Sequence, residues 1–119
     1  MKAMTTTLSS QTCVPCKGSD PPLSPEEIEE MRTLIANWQI VDKDSIPKLS
    51  RSYKFSNFKR ALAFTQKVGE AAEQAGHHPM LITEWGRVSV FWWTHTINGL
   101  HQNDFIMAAK TDVAYETEA

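Results

Sequence analysis

Glu73-x3-His77-His78-Pro79, followed by Trp85, His95 and Asp104, gathers three of the chain's four histidines into one short stretch. Histidine has an unperturbed pKa of about 6.5, so it can give or take a proton near neutral pH, and several converging on one site suggest acid/base chemistry. The spacing offers a way to converge. Residues 80–84 and 87–94 are rich in β-branched and aromatic side chains, and Trp85-Gly86 between them suits a two-residue hairpin loop. With Glu84 facing Arg87, pairing outward sets Trp93 opposite His78. His95 then lies diagonal to His78 and next to His77, at the roughly 7–8 Å of diagonal cross-strand neighbours. Zinc is disfavoured at this cluster, because adjacent residues diverge by about 100° on a helix and nearly 180° on a strand, which keeps His77 and His78 from chelating one ion.

Other elements must hold these side chains. Leu23-Ser24-Pro25-Glu26-Glu27-Ile28 supplies a Ser cap, Pro at the first helical position and a capping-box Glu, so a helix starts here with Ile28, Met31, Leu34 and Ile35 as its buried stripe. Trp38–Val41 reads as a short strand, 42–45 as a turn, and Leu49–Phe55 as an alternating strand. Arg51 falls on the apolar face of that strand, either as a snorkelling stem or as an anion ligand. A long helix follows Asn57 with Phe58, Ala61, Leu62, Thr65, Val68, Ala72 and Ala75 as its stripe, and Gly76 is a natural residue just past its end. His77 therefore sits at a helix C-terminus, which suits a proton donor, with Glu73 one turn earlier to orient the ring. After the hairpin, Asn98-Gly99 breaks the chain. Phe105, Ile106, Ala109 and Val113 mark a last helix with Asp104 in its first turn, where an acid complements the helix dipole. His101 stands where a Ser or Thr cap is expected.

The order helix-strand-strand-helix-strand-strand-helix predicts an α+β fold, a four-stranded antiparallel sheet with three helices packed on one face. With 119 residues, 41% hydrophobic content and a net charge of -2, the chain is long enough for one cored domain over 23–119 and lacks the basic surplus of a nucleic-acid binder. No run approaches the roughly 20 apolar residues of a membrane span, and residues 1–22 lack the apolar core of a secretory signal. A cytoplasmic protein with no nucleic-acid or membrane partner is the expectation. Residues 1–22, polar, proline-containing and without periodicity, read as a flexible arm. Cys13-x2-Cys16 lacks the further ligands of a structural zinc site and reads as reduced thiols on that arm.

The pattern Glu73-x3-His77-His78-Pro79-x5-Trp85-x9-His95-x8-Asp104, with the Trp38 strand and the Phe55-x2-Phe58-x2-Ala61 helix entry, resembles the signature of the pterin-4a-carbinolamine dehydratases over about residues 23–114. The resemblance implies loss of water from a 4a-hydroxytetrahydropterin to give the quinonoid dihydropterin, which regenerates the cofactor spent by aromatic amino acid hydroxylases. It implies dimers or tetramers, no metal, and no cofactor besides the pterin substrate. Its catalytic residues here would be His77, His78 and His95, and its substrate contacts Glu73, His78, Pro79, Trp93, Thr94 and Asp104. The chemistry fits the residues on its own terms, since dehydration needs one group to protonate the leaving hydroxyl and another to take a ring-nitrogen proton; His77 and His95 are the candidates. Some members of that family also act as dimerisation cofactors of transcription regulators, the alternative function expected from the resemblance.

Overall fold

The computed structural model describes residues 8–14 and 21–118. Helix α1 (Pro25–Arg32) starts as the sequence predicts: Ser24 Oγ accepts from the Glu27 backbone N–H and Glu27 Oε1 accepts from that of Ser24. These bonds hold the Glu27 carboxyl below its usual range. Its apolar residues Ile28 and Met31 are only half-buried, and the fully buried member of that stripe is Ile35, in the 3-10 turn Thr33–Ile35.

Strands β1 (Gln39–Lys43) and β2 (Ile46–Lys54) form a hairpin whose two turn residues, Asp44 and Ser45, both have positive φ, the backbone twist that suits a two-residue loop. The expected turn was wider and the expected strand shorter. Helix α2 (Phe58–Ala75) is capped by the Asn57 side chain and ends at Gly76, in the left-handed conformation. Strands β3 (Met80–Glu84) and β4 (Arg87–Trp92) pair with Glu84 opposite Arg87, in the register expected from sequence. Helix α3 (Gln102–Glu118) closes the chain. The antiparallel sheet runs β1-β2-β4-β3, so β4 is inserted between its hairpin partner and β2.

Alternation puts Leu49, Tyr53, Val88, Val90 and Trp92 on one face, all buried under the helices. Stripe assignment on α2 differs from the sequence expectation. Ala61, Phe64, Val68 and Ala72 face the core, whereas Phe58 and Leu62 are exposed at 45% and 49%. Phe64 decides the rotation: its ring meets Tyr53, Phe55 and Tyr115, an aromatic cluster that Phe58 and Leu62 cannot join from the other side of the helix. On α3 every residue from Asn103 to Ala109 is buried, while the expected core residue Val113 is exposed. A helix covered all round has layers on both sides.

One of those layers comes from the segment read as a flexible arm. Leu8 is 2% exposed and belongs to the core, the Lys110 ammonium donates to the Ser9 carbonyl, and Val14 is bonded to Asn103. Residues 8–14 are thus docked on α3; the remainder of 1–20, Cys16 included, lies outside the described residues. Arg51 is neither a free anion ligand nor a simple snorkel. Its guanidinium lies 2.6 Å from Asp112 Oδ1, a carboxylate that also accepts from Trp38 Nε1 and the Tyr53 hydroxyl. Burial and the Asp112 charge push the Tyr53 phenol well above its ordinary pKa.

Candidate active site

The ladder of β4 stops at Trp92, two residues short of the expected strand end. Thr94 instead bridges to Gly99, and the chain between them makes a small excursion: a 3-10 turn His95–Ile97 closed by Asn98 in the left-handed conformation. His95 therefore reaches its place on a loop, and the diagonal-pair geometry expected from a continuous strand does not apply. Convergence survives. His77, His78, Thr94 and His95 line one cleft of about 520 Å³, together with Ala75, Gly76, Thr96, Asn103, Cys13 and Val14. That volume falls within the roughly 300–1,000 Å³ of small-molecule sites.

His77 arrives at the cleft because Gly76 ends α2, and the Gly76 and His77 backbone N–H groups turn back to the carbonyls of Glu73 and Ala72. Its ring lies parallel to Trp92, with centroids 5.7 Å apart and planes 4° apart. Its Nε2 is 2.6 Å from Asp104 Oδ1. Asp104 is fully buried, so it holds the histidine and does not face the cleft as the expected substrate contact. Its other oxygen, Oδ2, accepts from the Thr94 hydroxyl and the His101 backbone N–H. A carboxylate offers only acceptors, so this network assigns the Nε2 hydrogen to His77 and leaves Nδ1 for a reactant.

The same turn explains the odd residue at the start of α3. His101 Nδ1 accepts from the Asn103 backbone N–H while Asp104 accepts from that of His101, a capping box in which an imidazole replaces the hydroxyl. One carboxylate thus both starts the helix and orients a site histidine.

Glu73 turns to the neighbouring histidine and not to His77. At the cleft mouth His78 Nε2 is 2.8 Å from Glu73 Oε1, both side chains being mostly exposed, a pairing that adds little stability. Pro79 is half-buried and is not among the lining residues. Trp93 also stays out of the lining; it stacks on His95 at 4.3 Å, with the Lys48 ammonium 4.0 Å from its centroid. Lys48, Trp93 and His95 form one pile that sets the His95 ring. Sequence reasoning missed Lys48, Cys13, Val14 and Asn103. Only Asn103, beside Asp104 in the capping turn, carried a usable signal. Among the described residues no three His, Cys, Asp or Glu side chains are grouped to hold a metal ion, and no helix is long and apolar enough to cross a membrane.

An antiparallel sheet backed by helices, with three histidines at a cleft beyond the end of β4, defines a small α+β domain with a histidine-lined cleft. The family model for pterin 4 alpha carbinolamine dehydratase matches residues 21–114, and the chain belongs to that family. It is 51% identical over 113 residues to a protein of Microcystis aeruginosa, covering 95% of this chain and 97% of that one. It is 53% identical over 109 residues to one of Syntrophotalea carbinolica, covering 92% and 97%. Both carry the name "Putative pterin-4-alpha-carbinolamine dehydratase". A transcriptional coactivator/pterin dehydratase from Brucella melitensis superposes with a TM-score of 0.72 at 32% identity, over 79% of this chain and 98% of that one. A pterin dehydratase-like RuBisCO assembly factor of the alpha-carboxysome, at 21% identity and TM-score 0.57 over 66% and 89%, shares the fold.

Proposed function

We propose that this protein dehydrates a 4a-hydroxytetrahydropterin to the quinonoid dihydropterin, without a metal or other cofactor. The observation that carries the reading is the set His77, His78, Thr94 and His95 on a single cleft of ligand size. In the reaction the C4a–O bond breaks, water leaves with a proton from the enzyme, and the adjacent ring nitrogen loses its proton as the C=N bond forms. Protonating a poor leaving group and deprotonating the nitrogen in one site is general acid/base work. His77 is assigned the acid: as the imidazolium it delivers its Nδ1 proton while Nε2–H stays bonded to Asp104. His95, exposed and held by Trp93, is assigned the base. His78 and Glu73 at the mouth serve recognition of the polar pterin edge.

Stopped-flow ultraviolet absorbance on freshly generated 4a-hydroxytetrahydropterin tests the assignment. The wild-type protein is expected to exceed spontaneous dehydration in proportion to its concentration; a rate equal to background refutes it. After a separate two-electron reduction to the tetrahydropterin, the pterin product would return to aromatic amino acid hydroxylases or another tetrahydropterin-consuming reaction in the cytoplasm.

A second reading, support of a partner's assembly, has one observation in its favour: Phe58 and Leu62, one turn apart on α2, are both about half exposed. Relatives named as a coactivator and an assembly factor share the fold. Rescue of a deletion phenotype by a His77→Ala, His95→Ala protein separates this role from the enzyme, which requires both histidines.

A further inference from the structure

The cleft has a wall that lies outside the histidine signature. Cys13 and Val14 line it together with Ala75 and Gly76 at the end of α2, and their segment is attached at several points. Leu8 is buried in the core, Lys110 binds the Ser9 carbonyl, and the Gln102 and Gln11 side chains are bonded. The tightest attachment is at the cleft itself. The Asn103 carboxamide accepts from the Val14 N–H at 3.0 Å and donates to the Val14 carbonyl at 2.6 Å, gripping both backbone groups of one residue. Asn103 is 2% exposed, and its neighbour Asp104 grips His77. Two consecutive residues in the first turn of α3 therefore fix two parts of the lining of one site.

We propose that Cys13 and Val14 are ligand-contacting, specificity-determining residues of the pterin cleft, and that Asn103 is the positioning residue that holds them there; the inference rests on the pterin reading. A thiol and an isopropyl group present a compact, largely apolar surface, suited to the face or edge of a flat heteroaromatic ring. Burial pushes the Cys13 thiol up, so it meets the ligand as an uncharged group and is a slow nucleophile at neutral pH. The wall limits how much bulk the cleft accepts and leaves the proton transfers to the histidines. Enlarging the Cys13 side chain should thus affect binding more than turnover.

The test uses the full-length chain. Cys13→Phe is expected to raise KM for the 4a-hydroxytetrahydropterin about tenfold or more, the scale on which pocket volume discriminates, with kcat within about threefold. In a Cys16→Ser background, iodoacetamide labelling of Cys13 followed by mass spectrometry is expected to slow when saturating 7,8-dihydropterin is present. Asn103→Ala is expected to speed that labelling by releasing Val14. A folded Cys13→Phe protein with wild-type KM overturns the proposal. So does 7,8-dihydropterin that binds in equilibrium dialysis yet leaves the labelling rate unchanged. Absence of any dihydropterin binding is the separate result that removes the pterin reading, and the wall with it.

Discussion

Three histidines share one cleft, and their surroundings divide the work among them. His77 is nearly enclosed between Asp104 and Trp92, His78 stands mostly in solvent beside Glu73, and His95 rests on Trp93. Only rings held in fixed orientation can place a proton on a chosen atom, which singles out His77 and His95. Replacing either by Ala is expected to lower the catalysed rate by about 10²–10⁴-fold with the fold retained, since removing a general acid or base costs that much. Stopped-flow rates near wild type would refute the assignment. His78→Ala should instead weaken dihydropterin binding more than it slows turnover. Asp104→Asn asks a sharper question. The carbonyl of Asn can still accept from Thr94 and His101, but its amide would present a donor to His77 Nε2 and so disfavour the doubly protonated ring that the acid role requires. A rate loss approaching that of His77→Ala, with imidazole nitrogen shifts reporting an unprotonated Nε2, is the expected outcome. A fully active Asp104→Asn enzyme would show that the carboxylate's hold on the Nε2 proton is irrelevant.

Between elements, the decisive contacts are turns and one buried carboxylate. Gly76 has φ 67, and a Cβ there would meet nothing within 4 Å, so its requirement is conformational. Gly76→Ala is expected to cost about 1–2 kcal/mol in denaturant unfolding and to displace His77, lowering activity beyond the stability loss; an unchanged unfolding midpoint counts against this. Asp112 ties α3 to Trp38, Arg51 and Tyr53. Because burial and the Asp112 charge make the Tyr53 phenol titrate higher in the folded state than its ordinary pKa of about 10, its contribution is complete below that pH. Above it the unfolded chain ionises first, so stability falls as pH rises. Tyr53→Phe should flatten that alkaline decline, and equal slopes for the two proteins would contradict the coupling. Such contacts also separate what was legible from what was not. Ser24 to Glu27, Asn57, Gly76 and the Glu84–Arg87 register are local signals, and the structure bears them out. The Phe64 face of α2, the loop that carries His95, the docking of residues 8–14, and the turn of Asp104 toward His77 all depend on partners far away in sequence, which no spacing rule encodes.

At the scale of the whole molecule, the helices cover one face of the sheet and leave the other bare. Register places Val41, Phe91, Met80 and Ile82 on that bare face beside Ser50, Ser52 and Ser89, with Ile82 exposed at 45%. Phe91, Trp92 and Trp93 crowd one stretch of chain, but Trp92 is fully buried in the monomer and bonded to Thr111, so it adds no reason for association. Reasons remain. Among the described residues β1 and β3 are the edge strands of the sheet, and Phe58 and Leu62 on α2 add a second apolar area. Burying such surface in a second copy removes both the apolar exposure and the open edge. We therefore expect a homo-oligomer at micromolar concentration, with a dimer as the minimum and a tetramer within reach of two separate surfaces. Light scattering should give a mass of at least twice the 13.4 kDa chain. Ile82→Asp and Leu62→Asp, each placing a charge on one of the two surfaces, should distinguish them by which variant dissociates. A monodisperse monomer retaining full dehydratase activity would sink the expectation and leave the bare sheet face without an occupant.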